Sequence, residues 1–200
     1  MLRLLERFGI RDERVLEVME SVPREEFVSP GDRDAAYGDH ALAIGEGQTI
    51  SQPYVVARMT ELLAPQPEHR VLEVGTGSGY QAAVLAGLAR EVISIERHAA
   101  LADAARDRLV RLGYRNVRVI NADASLGYPS EAPYDRILIT AATPRVDPAL
   151  AQQLTAAGRI VAPVGDLDLQ ELVVRDARGR EERHGAVRFV PLRGQAGFRG

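Results

Sequence analysis

A short apolar run that ends in three closely spaced glycines constrains this chain more than any other feature. Residues 71–74 (Val-Leu-Glu-Val) are followed by Gly75, Gly77 and Gly79, and a helix-like pattern begins at Tyr80. Glycines let the backbone approach a ligand closely, and the amide groups at the start of a helix attract negative or polar groups. The pattern therefore predicts a strand, a ligand-binding turn and a helix in succession.

The same change from strand to helix recurs along the rest of the chain. We predict further strands at 92–95, 117–120, 136–139 and 159–162, with helices at 80–89, 98–112 and from Pro148 onward. A turn signal at 176–179 lies between runs at 169–175 and 185–190 and predicts a terminal hairpin. Strands that alternate with helices form parallel sheets through right-handed crossovers. We therefore expect an α/β fold with a mostly parallel sheet and a C-terminal antiparallel hairpin.

The sequence before the first of these strands predicts two helices separated by a long irregular segment. Residues 12–22 have apolar side chains at helical spacing, and a second helix is predicted to start at Ser51-Gln52-Pro53. Between them, residues 27–47 are rich in glycine and acidic residues and have no sustained period. Long segments of this kind are often functional, so Tyr37 to Gln48 is a candidate lid over a ligand.

Composition excludes several classes of protein. The chain has 200 residues, of which 46% are hydrophobic and 26% charged, and this mix predicts one globular domain rather than a disordered chain. A net charge of -3 argues against a protein that binds nucleic acid by neutralising phosphates. The absence of cysteine excludes disulfides, thiolate zinc sites and cysteine nucleophiles. With no signal peptide and no long apolar stretch, we expect a soluble cytoplasmic protein with no membrane partner.

The residues around the glycines predict a bound nucleoside. Glu96 lies at the end of the next strand, roughly 20 residues on, where a carboxylate can accept hydrogen bonds from ribose hydroxyls. The alternate spacing of the glycines, and the acidic Glu73 inside the strand, favour S-adenosylmethionine over a dinucleotide, whose phosphates Glu73 would repel. After the third strand of the sheet, Asp123 in the run Asn121-Ala122-Asp123-Ala124 can reach an adenine amino group; the alternative is a simple turn acid.

Several further motifs are similar to those of the protein-L-isoaspartate O-methyltransferase family. The resemblance covers nearly the whole chain in order. Its motifs are Val22–Val28 (VPREEFV), Gly45–Pro53 (GEGQTISQP), Glu73–Ala83, Ala132–Ile137, Pro163–Gly165 with Gln170, and Phe189–Leu192. The resemblance implies a Rossmann-like S-adenosylmethionine-dependent methyltransferase fold, with an N-terminal helix and active-site loop at 1–50 and a cofactor-binding core at 51–200.

The resemblance also implies an activity and its residues. Members of the family methylate the free α-carboxylate of L-isoaspartyl residues in damaged proteins and peptides, and the ester collapses to a succinimide; the second product is S-adenosyl-L-homocysteine. The position matching Ser51 is the active-site serine, and Ile50, Ser51 and Gln52 are expected to contact the acceptor. The positions implied to bind the cofactor are Thr49, Glu73, Gly75, Thr76, Gly77, Ser78, Gly79, Glu96, Asp123 and Ala124.

The chemistry of a carboxylate acceptor agrees with these residues. A carboxylate is already ionised at neutral pH, so it needs no general base, and none of the four histidines is an obvious one. Ser51 is expected to orient the carboxylate by a hydrogen bond; the alternative is a plain helix N-cap. No cluster predicts a metal site.

Three other functions stay open at this point: a methyltransferase for small molecules or RNA, a binding module without turnover, and a dinucleotide oxidoreductase. The sequence does not determine the oligomeric state, although we favour a monomer.

Overall fold

The N-terminal part of the computed structural model, which describes residues 1–198, consists of helices and a small β-hairpin. Leu5, Val15 and Met19 are fully buried. They pack in one hydrophobic cluster with residues of the helix Tyr80–Ala86, among them Tyr80 and Val84. The elements are α1 (Leu2–Arg7), α2 (Glu13–Ser21), 3₁₀ helices at Arg24–Phe27 and Pro30–Ala35, the antiparallel strands β1 (Leu42–Gly45) and β2 (Gln48–Ile50), and α3 (Pro53–Leu63).

Seven strands form the central sheet, and three helices connect them. The strands are β3 (Arg70–Val74), β4 (Glu91–Glu96), β5 (Val117–Asn121), β6 (Tyr134–Ile139), β7 (Leu154–Gly165), β8 (Gln170–Asp176) and β9 (Glu181–Val187). The helices are α4 (Tyr80–Ala86), α5 (Ala99–Arg111) and α6 (Pro148–Ala151), with a 3₁₀ turn at Pro129–Glu131. The spatial order is β5-β4-β3-β6-β7-β8-β9. The first five strands of this order are parallel to one another, whereas β8 pairs antiparallel with both β7 and β9.

The strand order positions the site. The chain leaves β3 for β4 and β5 on one side and then returns to β6 on the other side of β3. Two neighbouring strands with connections that leave in opposite directions create a crevice at their carboxyl ends, where α/β proteins bind ligands. The expected Rossmann-like fold and its C-terminal antiparallel hairpin are therefore confirmed.

Both faces of the parallel strands are covered, which explains why their sequences are nearly continuous apolar runs. Leu72 and Ile137 pack in the cluster on one face, whereas Val71 and Leu138 pack in the cluster on the other. All four side chains are fully buried. The predicted strands at 92–95, 117–120, 136–139 and 159–162 are confirmed, since each lies within a strand of the sheet.

Several predicted boundaries are wrong. Residues 27–47 are not irregular throughout, since they contain the 3₁₀ helix Pro30–Ala35 and β1, whose residues are alternately half-buried and exposed. The last strand is Glu181–Val187 rather than 185–190. It begins to pair with β8 directly after the turn at Gly179, and it ends where Val187 pairs with Gln170, the first residue of β8. The helix α1 was missed, although its Leu5 is fully buried. The predicted core of 51–200 includes two residues outside the described range.

Candidate active site

A cavity of ≈ 930 Å³, including its open mouth, lies at the carboxyl ends of β3, β4 and β6. Apolar and polar groups share its wall, as is usual in small-molecule sites. Residues from six parts of the chain line it: Gln48–Ser51 with Val56 and Met59; Val74–Ser78 with Tyr80 and Gln81; Ile95–His98; Ala122 with Ala124; Thr140 with Ala141; and Phe189–Arg193.

The glycine loop forms the floor of this cavity. Gly75, Gly77 and Gly79 have φ values of 100°, 54° and 88°, in the left-handed region that side chains rarely adopt. A Cβ at Gly75 would collide with Oγ1 of Thr140, which lies 2.5 Å from the Gly75 carbonyl oxygen and 2.9 Å from that of Val74. The glycine at position 75 therefore lets β3 and the end of β6 approach each other at the cavity.

The carboxylate of Glu96 holds two backbone segments at the cavity wall. Its Oε2 accepts a hydrogen bond from the Gly77 N–H at 3.0 Å, and its Oε1 accepts one from the His98 N–H at 2.9 Å. The side chain is buried but lines the cavity. Each carboxylate oxygen has a second lone pair, so Glu96 can also accept hydrogen bonds from the hydroxyls of a bound sugar.

Glu73 lies behind the wall rather than in it. Its side chain is completely buried, Ser94 Oγ donates to its Oε2, and its Oε1 has no hydrogen-bond partner. Burial raises the pKa of Glu73 to about 8, although the hydrogen bond from Ser94 opposes this shift. Thr76, which does line the cavity, lies 2.5 Å from the Ser94 hydroxyl through its own Oγ1. Glu73 is thus connected to the cavity through two hydroxyl groups.

The turn after β5 brings two alanine side chains to the cavity, and the carboxylate between them lies outside it. Ala122 and Ala124 line it, whereas Asp123 accepts hydrogen bonds from the N–H groups of Ser125 at 2.9 Å and Gln195 at 3.1 Å. Partial burial opposes ionisation of Asp123, but these hydrogen bonds keep its pKa below the ordinary value. Asp123 therefore ties the C-terminal segment to the turn.

Ser51 lies where two cavities meet. It lines the large cavity and also a neighbouring one of ≈ 360 Å³, which is lined in addition by Ala41, Thr49, Gln52, Val55, Thr140 and Arg188–Val190. The hydroxyl of Ser51 makes no hydrogen bond within residues 1–198. It is free to bind a ligand.

The N-terminus of α3 is not capped by Ser51. The N-cap residue is Gln52, which makes no capping bond through its side chain. Instead, Oδ1 of Asp39 accepts a hydrogen bond from the Tyr54 N–H at 2.9 Å, and its Oδ2 accepts one from Gln52 Nε2 at 3.2 Å. Asp39, from the preceding segment, therefore provides the hydrogen-bond acceptor for a backbone N–H group in the first turn of α3. The alternative that Ser51 is a plain N-cap does not hold.

Arg24 is a buried residue of the site for which we predicted no role. It has no exposed surface, and its guanidinium carbon lies 4.6 Å from the centre of the Tyr80 ring. Its Nε donates to the carbonyl oxygen of Ala36 and its Nη2 to that of Ser51, each at 2.7 Å. Burial lowers the pKa of Arg24, although Tyr80 and Asp39 partly oppose this. The only signal in the sequence was its place in the motif at 22–28.

The β1–β2 hairpin, which belongs to the candidate lid, lies over the glycine loop. At its turn, Glu46 Oε2 is 3.7 Å from His98 Nδ1, at the start of α5. A Cβ at Gly77 would lie 3.4 Å from Cδ1 of Ile44. The hairpin thus contacts the two segments that Glu96 holds together.

The structure brings most of the predicted site residues to one cavity. Those in its wall are Thr49, Ile50, Ser51, Gly75, Thr76, Gly77, Ser78, Glu96 and Ala124. Glu73, Gly79 and Asp123 support the wall from outside it, and Gln52 lines only the smaller cavity. Among the wall residues that we missed, Thr140 follows β6 directly, and its place at the carboxyl end of a parallel strand was the available signal.

Residues 1–198 contain no group of three or more histidine and acidic residues that could hold a metal ion. None of the helices described there is both long and apolar enough to cross a lipid bilayer.

Comparisons with known proteins agree with the fold and the site. The family model described as protein-L-isoaspartate(D-aspartate) O-methyltransferase (PCMT) matches residues 1–197. A protein-L-isoaspartate O-methyltransferase from Methanoregula boonei is 56% identical over 194 residues, which are 95% of this chain and 89% of the relative. One of the same name from Methanospirillum hungatei is 52% identical over 199 residues, 98% of this chain and 92% of the relative.

Solved structures extend the likeness to three dimensions. A structure described as a protein-L-isoaspartate O-methyltransferase is similar with a TM-score of 0.85 and 28% identity, over 98% of this chain and 66% of the other. A Plasmodium falciparum structure, described as a complex with S-adenosyl-L-homocysteine, has a TM-score of 0.84 and 24% identity over 96% of each chain, which supports the fold. Since the family model and the relatives match nearly the whole chain, it belongs to the protein-L-isoaspartate O-methyltransferase family.

Proposed function

We propose that this protein transfers the methyl group of S-adenosylmethionine to the free α-carboxylate of L-isoaspartyl residues in damaged proteins and peptides. The ester product then closes to a succinimide, which begins the repair. The observation that carries the proposal is the position of Ser51, which lines both the large cavity at the carboxyl ends of the strands and the smaller cavity beside it. One ligand can fill each cavity, with the reacting groups meeting at Ser51.

The large cavity has the groups that the cofactor requires. Glu96 would accept hydrogen bonds from the ribose hydroxyls, the loop Thr76, Gly77 and Ser78 would hold the nucleoside, and the small side chain of Ala124 would leave room for the adenine. When bound, S-adenosylmethionine supplies a methyl group on a positive sulfonium sulfur; its transfer to a carboxylate leaves a methyl ester and S-adenosylhomocysteine and requires no proton. Glu73 acts from behind by holding Ser94 and, through it, Thr76. Gly79 and Asp123 shape the same wall from outside.

The chain's own contribution to the reaction is orientation and exclusion of water. The acceptor carboxylate is ionised at neutral pH, so no general base is needed. A negative acceptor and a positive donor lose charge as they react, so a water-free, well-oriented site favours the reaction. Ser51 donates a hydrogen bond to one carboxylate oxygen, while Ile50, Val56 and Met59 give the wall its apolar surface.

The smaller cavity is the proposed entrance of the acceptor. Thr49, Ser51, Gln52 and Arg188 contribute its polar groups, and Arg188 is exposed and forms no ion pair within residues 1–198. A positive charge at the mouth of a neutral cavity attracts an anionic ligand. The peptide on either side of the isoaspartyl residue then lies against the surface next to Gln52.

The test is methyl transfer from labelled S-adenosylmethionine to two peptides of one sequence, with isoaspartate in one and aspartate in the other. We expect transfer to the isoaspartyl peptide alone, with labelled methanol released as the ester closes to the succinimide. Transfer to neither peptide, with S-adenosylhomocysteine still bound, would reject this acceptor and leave a methyltransferase for another substrate or a binding module.

We also propose that the enzyme acts as a monomer in the cytoplasm, with all 200 residues forming one methyltransferase domain. The cavity wall combines residues from positions 48–98 with residues from 122–193 of one chain, which supports a site complete in one copy. Light scattering at assay concentrations tests this, and a dimer would contradict it.

A further inference from the structure

We propose that Arg24 is a positioning residue of the acceptor site, which fixes the main chain at Ser51 from inside the protein. The inference rests on the proposed role of Ser51. Arg24 itself does not line either cavity, so it acts through the residue that it holds.

The hydrogen bonds of Arg24 connect two segments that are far apart in sequence. Its Nε donates to the carbonyl oxygen of Ala36, which directly follows the second 3₁₀ helix. Its Nη2 donates to the carbonyl oxygen of Ser51, which lies just before α3. The guanidinium group is planar and rigid, so two donors on it fix the relative position of two carbonyl groups more narrowly than a lysine ammonium can. The carbonyl of Ser51 is therefore held on the side of the chain away from solvent.

The burial of this cation is costly by itself. Arg24 is fully buried, yet it forms no direct ion pair in the part of the chain that the structure describes. Its partners there are two neutral carbonyls and the Tyr80 ring, its Nη1 has no hydrogen-bond partner, and Asp39 acts on it only through its charge. A buried charge without an opposite charge in contact destabilises a fold, and apolar residues of similar volume are often better for stability. Stability alone therefore does not account for an arginine at this position, whereas control of the Ser51 backbone does.

Asp39 holds the residues that follow Ser51. Its carboxylate accepts hydrogen bonds from Gln52 Nε2 and the Tyr54 N–H, while Arg24 binds the carbonyl of Ser51 itself. With the carbonyl of Ser51 bound to Arg24, the main chain at this point has little freedom. The hydroxyl of Ser51 then has a defined position at the junction of the cavities.

Arg136 offers a matched control. It is also buried, and its guanidinium group also donates to main-chain carbonyls, those of Asp135 at 2.7 Å and Ala64 at 3.3 Å. Burial lowers its pKa as it does that of Arg24. It lies in the first half of β6, however, and in neither cavity wall.

The experiment compares Arg24→Lys with Arg136→Lys in three measurements: methyl-transfer kinetics, S-adenosylhomocysteine affinity, and amide hydrogen exchange over residues 49–56 with S-adenosylhomocysteine bound. For Arg24→Lys we expect a KM for the isoaspartyl peptide about 10-fold higher or more, as for a lost hydrogen bond to a charged group, with cofactor affinity within about twofold. Exchange should rise at residues 49–56. Arg136→Lys should lower the melting temperature without either change.

Equal KM and equal exchange in wild type and Arg24→Lys would overturn the inference, and so would equal rises in both variants. If wild type methylates no isoaspartyl peptide, the proposed function fails, and hydrogen exchange alone then decides whether Arg24 positions Ser51. Arg24→Gln, which keeps a donor but removes the charge, serves as the second variant should the lysine variant not fold.

Discussion

The carboxylate of Glu96 and the backbone N–H of Gly77 form a 3.0 Å hydrogen bond, so the end of β4 holds the middle of the glycine loop. The same carboxylate binds the His98 N–H at the start of α5. One carboxylate in the cavity wall therefore organises both the glycine loop and the start of α5.

Glu96→Ala is expected to weaken the binding of S-adenosylhomocysteine at least about 10-fold, because hydrogen bonds to a charged group are lost and the loop loses its tie. Isothermal titration calorimetry measures the affinity. Glu91→Ala, at the other end of β4 where the side chain pairs with Arg70 and Arg118, is the control and should bind as wild type does. Unchanged affinity in Glu96→Ala would remove this residue from the site.

Ser51→Ala is expected to lower kcat/KM for the isoaspartyl peptide by about 10-fold or more, since an orienting hydrogen bond disappears. Its melting temperature and its affinity for S-adenosylhomocysteine should stay close to wild type, because the hydroxyl caps no helix. Steady-state kinetics with thermal unfolding tests both parts. A large drop in stability would show that Ser51 has a structural role after all.

Asp39→Ala is expected to lower stability by about 0.5–2 kcal/mol, the usual effect of removing a helix cap. It should also raise the KM for the peptide, because the Ser51–Gln52 segment loses a partner. Urea unfolding gives the first value and kinetics the second. Asp12→Ala is a matched control: Asp12 caps α2 through the Arg14 N–H, so it should lower stability but leave KM unchanged.

Glu73 makes the stability of the protein depend on pH in a defined direction. The pKa of Glu73 is about 8 in the folded chain, whereas its ordinary value of 4.5 applies in the unfolded chain. Between pH 4.5 and pH 8 the folded state therefore binds more protons than the unfolded state. The free energy of unfolding therefore falls as pH rises through this window, by an amount on the order of a few kcal/mol. Below this pH window Glu73 is protonated in both states, and it no longer makes the free energy of unfolding depend on pH.

Glu73→Gln cannot ionise and should lose this contribution. Urea unfolding of the ligand-free proteins at pH 5 and pH 8 measures this contribution. The free energy of unfolding of wild type minus that of Glu73→Gln should be smaller at pH 8 than at pH 5, whatever its value at either pH. The same pH dependence in both proteins would mean that Glu73 is ionised in the fold at neutral pH.

Arg188→Ala is expected to raise the KM for the isoaspartyl peptide with little change in kcat, since the charge attracts the acceptor but takes no part in the transfer. The KM of wild type should rise with salt, and that of the variant should rise less. Arg115→Ala, which removes an exposed arginine before β5, is the control. Equal salt dependence in all three proteins would argue against this role.

The sequence predicted the sheet and the glycine loop because both depend on local patterns. Parallel strands buried on both faces are continuous apolar runs, and the loop has glycines at the positions where φ is positive. The strand β1 was missed for the opposite reason: it has four residues, is half exposed and contains a glycine at its turn.

The parts of the site that the sequence did not predict depend on contacts between distant residues. Arg24 binds a carbonyl 27 positions away, and Asp39 binds an N–H 15 positions away. Any residue offers a backbone carbonyl or N–H, so neither partner has a recognisable side-chain pattern. Similarly, Glu73 was predicted to contact the cofactor, but only the fold reveals that Ser94 and Thr76 stand between it and the cavity.

The β1–β2 hairpin connects the walls of the two cavities. Its turn reaches His98, and its Ile44 lies close to Gly77; His98 and Gly77 are both in the wall of the large cavity. Its second strand contains Thr49 and leads into Ser51, and these two residues line both cavities. Any shift of these two short strands therefore changes the shape of both cavities at once.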